Sequence, residues 1–354
     1  MIRCVFTDFD KFADSVCGVK GRYVPLGRSI EDWWIAPVQL GRLWLQEQQV
    51  GAPATFAGDG KPDELTVAIP LTDPTAIRIN GEPLDENGFI LMRHNRPFMC
   101  SALEVTRWAS ITLPLGLTHH VHFNEAAEQD DVRRRADAAA LRGVTAMVEL
   151  FCGGEDRISI VAPASLALAE QEIQRAIRQL LRVSSCTQRR HVGRPRVDRD
   201  EVLARCIEFV RENVGQPILV GELSHHGQIS ERTLRNVFHG FFGVGPVRFM
   251  KACQLQEVRS ALLNSSSLQD TVTAVARRFG VWDFSLLARN YRAMYGESPS
   301  QTLRGGRLRQ GSPLGGVAPS SMQTWMTYAS RRFVRSGAAF GAHSGRNRVW
   351  HHHA

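Results

Sequence analysis

The strongest constraint on this chain is a pattern written twice between Val220 and Arg304, the copies lying about fifty residues apart. The first copy runs Leu223, Ser230, Arg232, Leu234, Phe238, Gly243, Gly245, Pro246. The second runs Val275, Ala276, Gly280, Asp283, Ser285, Leu287, Arg289, Tyr291, Gly296, Ser298, Pro299. Ser230 can cap a helix in which Leu234, Val237, Phe238 and Phe241 recur at three- and four-residue spacing, leaving Arg232, Arg235 and Asn236 outside that stripe. Asp283 repeats the cap, with Leu286, Leu287, Tyr291 and Met294 inside and Ser285, Arg289 and Arg292 outside. A short helix around Gly221 to His226 precedes the first of these, with room between them only for a sharp corner. Each copy spells a helix-turn-helix unit.

Pro246 can start a helix that ends at Leu263, so roughly 27 Å of helix separates the units. One turn of duplex is roughly 34 Å, and two second helices linked in this way reach successive major grooves on one face of DNA. Periodicity alone suits an all-helical bundle with solvated arginines equally well.

The run from about Arg199 to Arg304 resembles the DNA-binding domain of the AraC/XylS family of transcription regulators. The most specific stretch is VTAVARRFGVWDFSLLARNYRAMYGESPSQTLR, from Val272 to Arg304. The resemblance implies that the second helix of each unit reads base edges, which assigns Arg232, Arg235 and Asn236 in the first unit and Phe284, Ser285, Arg289 and Arg292 in the second. Two positions depart from the family pattern. Gln228 stands where a turn glycine is usual, and Val281 replaces the usual phenylalanine after Gly280. A Gln in a left-handed turn costs on the order of 1 kcal/mol.

Charge divides along the chain in the way such a reading needs. Residues 1–188 hold 19 Lys and Arg against 24 Asp and Glu, a formal −5, while residues 189–304 hold 17 against 11, a formal +6. The acidic half is excluded as the nucleic-acid half, and the basic half faces phosphate favourably and in a salt-dependent way. No apolar run reaches the roughly eighteen residues of a membrane helix. The opening MIRCVFTDFDKF lacks the apolar core of a secretory leader. Seven scattered cysteines without a C-x-x-C suggest reduced thiols. A cytoplasmic protein is expected.

From about Gly21 to Leu115 the texture is β. LTVAIPL (65–71), AIRI (76–79), FILM (89–92) and VTRWASITLPL (105–115) are separated by Asp-Pro, Asn-Gly and Arg-Pro breaks. Asn80-Gly81 and Asn87-Gly88 are tight-turn signals. The expectation is an antiparallel β barrel or jelly roll, cupin-like, in an α+β multidomain chain. The resemblance implies that this domain senses a small effector or supports dimerisation. Trp33, Trp34, Trp44 and Trp108 are candidate pocket rings, more often core than lining. Arg22, Arg93, Arg96 and Arg107 are candidate anion partners or solvated strand residues. His119, His120 and His122, with Glu125 nearby, stand at a segment boundary without a further histidine at ligand spacing, so no metal site and no cofactor is assigned.

Residues 124–188 switch to helical period. Glu125 to Ala140 reads as a charged helix with Arg133, Arg134 and Arg135 solvated. Leu166, Ile173, Ile177, Leu180 and Leu181 stripe a second helix, suited equally to a coiled-coil dimer seam or to packing on its own β domain. Ser184 to Asp200 is basic and polar, as linkers are. After Arg304 the chain has seven arginines and no acid, which reads as disorder from about Gly305 with Ser320 to Val334 as a marginal helix.

The resulting division is 1–118 for the β domain, 119–188 for a helical dimerisation or connector region, 189–199 for a basic linker, 200–304 for the DNA reader and 305–354 for the tail. The leading expectation is a non-enzymatic transcription regulator, with double-stranded DNA, RNA polymerase, a small-molecule effector and a second copy of itself as partners, and no membrane. The alternative is a cupin-type metal-dependent enzyme fused to a helical domain. It lacks a ligand set, a phosphate loop, a G-x-S-x-G elbow or a paired-carboxylate motif.

Overall fold

The computed structural model describes residues 3–118, 132–153, 163–186, 198–213, 216, 218–265, 270–309 and 321–335. The N-terminal part is built from β1 (Cys4–Phe6), α1 (Phe9–Ser15), β2 (Val19–Pro25), β3 (Trp33–Leu40), β4 (Leu43–Val50), β5 (Ala54–Gly60), β6 (Glu64–Pro70), β7 (Ile77–Ile79), β8 (Glu82–Pro83), β9 (Gly88–Arg93), β10 (Phe98–Ala102), β11 (Thr106–Pro114), β12 (Arg133–Arg135), α2 (Ala138–Cys152), α3 (Pro163–Val183) and β13 (Ser185–Cys186). The remainder is helical: α4 (Arg199–Glu212), α5 (Val220–His226), α6 (Glu231–Phe242), α7 (Pro246–Leu263), α8 (Val272–Arg278), α9 (Phe284–Tyr295), α10 (Pro299–Arg309) and α11 (Ser321–Arg335).

The strands form two antiparallel sheets, one ordered β1-β3-β4-β11-β6-β9-β12-β13 and the other β2-β5-β10-β7-β8. Two-residue alternation sorts their side chains into layers. On β11, Trp108 faces the second sheet, while Ala109, Ile111 and Leu113 face the other way and pack with α2 and α3. β9 divides likewise, with Ile90 and Met92 inward and Phe89 and Leu91 under the helices. Both faces of the eight-stranded sheet are therefore covered, so β9 reads as a nearly continuous apolar run, while β4 buries the polar run Gln46 to Gln49. The five-stranded sheet turns Tyr23, Phe56 and Phe98 inward and Val24, Ala57 and Met99 outward onto the C-terminal helices.

The expected cupin-like barrel is thus met only as antiparallel sheets. The two sheets keep separate edges, with an isolated bridge between Gly60 and His94, and the described strands close no barrel. Arg133, Arg134 and Arg135 are strand rather than helix. They pair with Ile90, Phe89 and Gly88 of β9, and Arg133 and Arg134 are buried. The helix begins only after Asp137, whose Oδ1 accepts from Ala139 N at 3.2 Å. The α3 stripe is spent within its own chain, because Ile173, Ile177, Leu180 and Leu181 are buried against the eight-stranded sheet. A coiled-coil seam on that stripe is excluded.

The largest departure lies in the expected tail. α10 continues past Arg304 to Arg309, and α11 follows with Met322, Trp325, Met326, Ala329 and Phe333 all buried. Their three- and four-residue spacing makes one apolar stripe, which packs both with Val24, Ala57 and Met99 of the sandwich and with α4, α6 and α7. Arg331 reaches Asp59 of β5 at 3.0 Å, and Arg332 pairs with Asp200 of α4 at 3.0 Å, both partners of the latter being buried. Disorder from Gly305 is thereby corrected for 305–309, while the marginal helix expected at Ser320 to Val334 is met by α11 and is packed rather than marginal; the rest of that segment, like the THHVH histidines, lies outside the described residues. No helix among the described residues is long and apolar enough to cross a membrane.

Candidate nucleic-acid interface

The first unit is α5, the corner 227–230 and α6. Glu222 accepts from Leu219 N at 2.7 Å and opens α5. The corner closes through Gly227 N to Leu223 O at 2.9 Å and Ile229 N to Ser224 O at 3.0 Å, with Gln228 held at φ 54°. The glutamine therefore adopts the left-handed turn that a glycine would have supplied at lower cost. Ser230 Oγ accepts from Thr233 N at 3.2 Å, as its position predicts. Leu234, Val237, Phe238, Phe241 and Phe242 are buried and Gly243 stops the helix at φ 69°. Arg232, Arg235 and Asn236 are left exposed. Arg235 holds Glu231 at 2.8 Å, but both side chains are about half exposed. Such a pair is worth at most about 0.5 kcal/mol and yields readily to a phosphate or a base edge.

The second unit, α8, the corner 279–283 and α9, is built the same way. Gly280 takes φ 70°, Val281 N donates to Ala276 O at 3.1 Å, and Asp283 Oδ1 accepts from Leu286 N at 2.8 Å. Leu287 and Tyr291 are buried, and Gly296 ends α9 at φ 73°. Tyr291 donates to Thr302 Oγ1 at 2.9 Å, locking α9 on α10. Burial raises the Tyr291 pKa, so this hydroxyl keeps its proton as a donor. Ser285, Arg289 and Arg292 are exposed. Phe284 differs: it is half-buried in the core of its unit, with the Arg277 guanidinium 5.6 Å from its ring. It anchors the start of α9 more than it presents itself.

α7 links the units as the spacing predicts, and its Arg259 ties the second unit to the sandwich. Arg259 is buried, pairs with Glu297 at 2.7 Å, donates to Thr7 O at 3.3 Å and lies 4.5 Å from the Tyr295 ring.

The profile of a family described as a helix-turn-helix domain matches residues 223–305, the span of both units. An XylDLEGF operon transcriptional activator of Pseudomonas putida is 31% identical over 100 residues, covering 28% of this chain and 31% of that protein. The chain thus spans about a third of the length of that relative. A second, XylDLEGF operon transcriptional activator 2 of the same species, is 30% identical over 107 residues, 30% of this chain and 68% of its own length. The chain belongs to the AraC/XylS family of transcription regulators. A solved structure of a probable AraC family transcriptional regulator from Rhodopseudomonas palustris CGA009 is 33% identical over 30% of this chain and 97% of its own, with a TM-score of 0.28.

Within this AraC/XylS domain, the sequence reading passed over two features of the second unit. Trp282, inside the quoted signature, is 69% exposed at the corner leading into α9, and Arg277 stands 5.9 Å from its ring. An exposed indole beside an arginine at the head of an exposed helix was visible as the pair W-D before the cap, yet its exposure depends on the corner's shape.

In the sandwich, a cavity of about 60 Å³ lies between the sheets, lined by Tyr23, Phe56, Ile90, Phe98, Cys100 and Trp108 with Gln48, Thr106 and Ser110 among the polar contributors. Of the four candidate tryptophans only Trp108 lines it. Trp33 is packed in the core, edge-to-face with Phe12 and Tyr23 and tilted against Phe9, Trp34 is buried and Trp44 is exposed. Arg22 and Arg107 are committed to Asp14 and Glu47, and none of the four candidate arginines lines the cavity. Burial pushes the Cys100 thiol up to about 12, so it sits there as a neutral, apolar group. Among the described residues no three His, Cys, Asp or Glu stand together as a metal site.

Proposed function

We propose that this chain is a sequence-specific DNA-binding transcription regulator whose sandwich senses a small effector. The observation that carries the reading is the pair of capped second helices, α6 and α9, each with one face buried and the other bearing exposed arginines. α7, about 27 Å long, lies between them. In this reading α6 presents Arg232, Arg235 and Asn236, and α9 presents Ser285, Arg289 and Arg292, to successive major grooves. Phe284 sets the start of α9 and touches DNA with its free edge.

The cavity between the sheets is the effector site. Its lining is mostly apolar with a few hydroxyl and amide groups and no described cation, which suits a small uncharged molecule. The regulator works in the cytoplasm as a homodimer, and contacts RNA polymerase as an activator. The relatives named as activators support the last assignment. The test is selection of the 354-residue chain on a pool of random duplexes. Two conserved blocks one helical turn apart are expected, and survival without any common sequence would refute the reading.

A further inference from the structure

The sandwich meets the first reading helix at a hairpin that the sequence places far from it. β7 and β8 are joined by Asn80-Gly81, both at positive φ, 54° and 83°, the geometry of a tight two-residue hairpin turn. A Cβ placed on Gly81 would stand 2.9 Å from the Phe241 ring of α6, so the absence of a side chain is what lets the hairpin approach. Between hairpin and helix runs a cleft of about 380 Å³ lined by Arg78, Glu82, Arg199, Asn236 and His239. Arg78 is half-buried and Arg199 exposed, and among the described residues neither has a carboxylate partner. Arg199 leans over α6, its guanidinium 3.5 Å from where a Cβ on Gly240 would be.

A recognition helix puts its N-terminal residues on base edges, which leaves the flank of its C-terminal half at the groove rim, where phosphates stand. The cleft is on that flank, next to Asn236. We infer that it holds a DNA backbone phosphate beside the first half-site, gripped by Arg78 from the sandwich and Arg199 from α4. This rests on α6 entering the major groove, as proposed above. The sandwich is then part of the DNA interface. Its arginine is already in place, because α11 and the outer face of the five-stranded sheet fix the hairpin against the reader. Glu82 is the opposing group: its carboxylate lines the same cleft and weakens the grip. β10, whose Cys100 lines the effector cavity, pairs Cys100 with Ile79 beside Arg78, so cavity and cleft are one strand apart.

The test uses the 354-residue chain, a selected duplex and a random duplex, with affinity measured by fluorescence anisotropy over a range of salt. Each neutralised phosphate contributes about 0.9 to the salt slope, which at ~0.15 M salt is about fivefold in affinity. Arg78→Ala is expected to lose about fivefold on both duplexes, since phosphate contacts carry no sequence information, and to flatten the slope by about 0.9. Arg78→Lys should recover most of the loss, and Glu82→Gln should tighten binding. Arg199→Ala, at an exposed site, reads the same contact if Arg78→Ala disturbs the hairpin. Arg42→Ala, on the α3 side of the sandwich where it pairs with Glu170, should change nothing. Unchanged affinity and slope for Arg78→Ala and Arg199→Ala, with the parent chain still binding, would overturn the phosphate site. Tighter binding by Arg78→Ala would overturn it too and make the hairpin an obstruction. A parent chain that binds no duplex would instead remove the regulator reading.

Discussion

Replacing Trp325 with alanine separates a folded C-terminal helix from a passenger tail. The Trp325 side chain is fully buried, with ring centroids 6.0 Å from Phe242 and 5.7 Å from Phe249. Truncating a buried tryptophan costs about 3–5 kcal/mol through lost transfer energy and the void left behind. The area route agrees: such a ring buries roughly 150–250 Å², and at about 25 cal/mol per Å² this is worth about 4–6 kcal/mol. Because α11 also bridges sandwich and reader, the loss should appear in the urea midpoint whether strand or helix signal is followed. Trp282→Ala, at a site 69% exposed, is the matched control and should stay within about 0.5 kcal/mol of the parent. A Trp325→Ala midpoint indistinguishable from the Trp282→Ala midpoint would refute the packing of α11.

Further expectations concern the two units and the core thiols. Ser230→Ala and Asp283→Ala each remove a helix cap and should cost about 1 kcal/mol in thermal or urea unfolding; no loss at either site would contradict the caps. Gln228→Gly relieves a left-handed non-glycine residue and should gain about 0.5–1 kcal/mol, whereas a loss would mean that the glutamine side chain makes a compensating contact. Burial pushes the thiols of Cys100, Cys152 and Cys206 from 9.0 up to about 12. Between those values the unfolded chain has released protons that the folded chain keeps, so the folded state binds more protons and stability falls as pH rises. Each thiol contributes up to about 1.4 kcal/mol per pH unit. A urea midpoint that is flat from pH about 8 to about 11 would contradict this burial.

The two helix-turn-helix units were legible because everything that makes them is local. Ser230 and Asp283 cap helices three residues on, and Leu234 with Phe238, or Leu287 with Tyr291, fall four apart on one face. The sandwich was legible only as texture. β5, ATFAGDG, is buried along its whole length, so it shows no alternation, and the partners of each strand are set by register between distant segments. α11 was legible only as a marginal helix: its five buried apolar residues are flanked by a Gly-, Ser- and Arg-rich segment, and their stripe acquires meaning only against Phe242 and Ala57. The α3 stripe suited a dimer seam or its own sheet equally until the sheet was in view. For the candidate site, exposure of Arg232, Arg235, Asn236, Ser285, Arg289 and Arg292 followed from the helix period. The half-burial of Phe284 depends on Arg277 across the corner, and the cleft beside Asn236 depends on a hairpin more than a hundred residues earlier in the chain.

The central claim is that α6 and α9 read two separate blocks of one DNA site, and repeating the duplex selection with Arg232→Ala and Arg289→Ala tests it most directly. The selection uses the whole 354-residue chain, since ending it at Arg304 would strip α11 from the core. A guanine held bidentately by arginine is worth about 1–3 kcal/mol of discrimination. Arg232→Ala should therefore blur one position in the first block and leave the second block sharp, with Arg289→Ala doing the converse. Loss spread evenly over both blocks in either variant, or no change in either, would contradict the account.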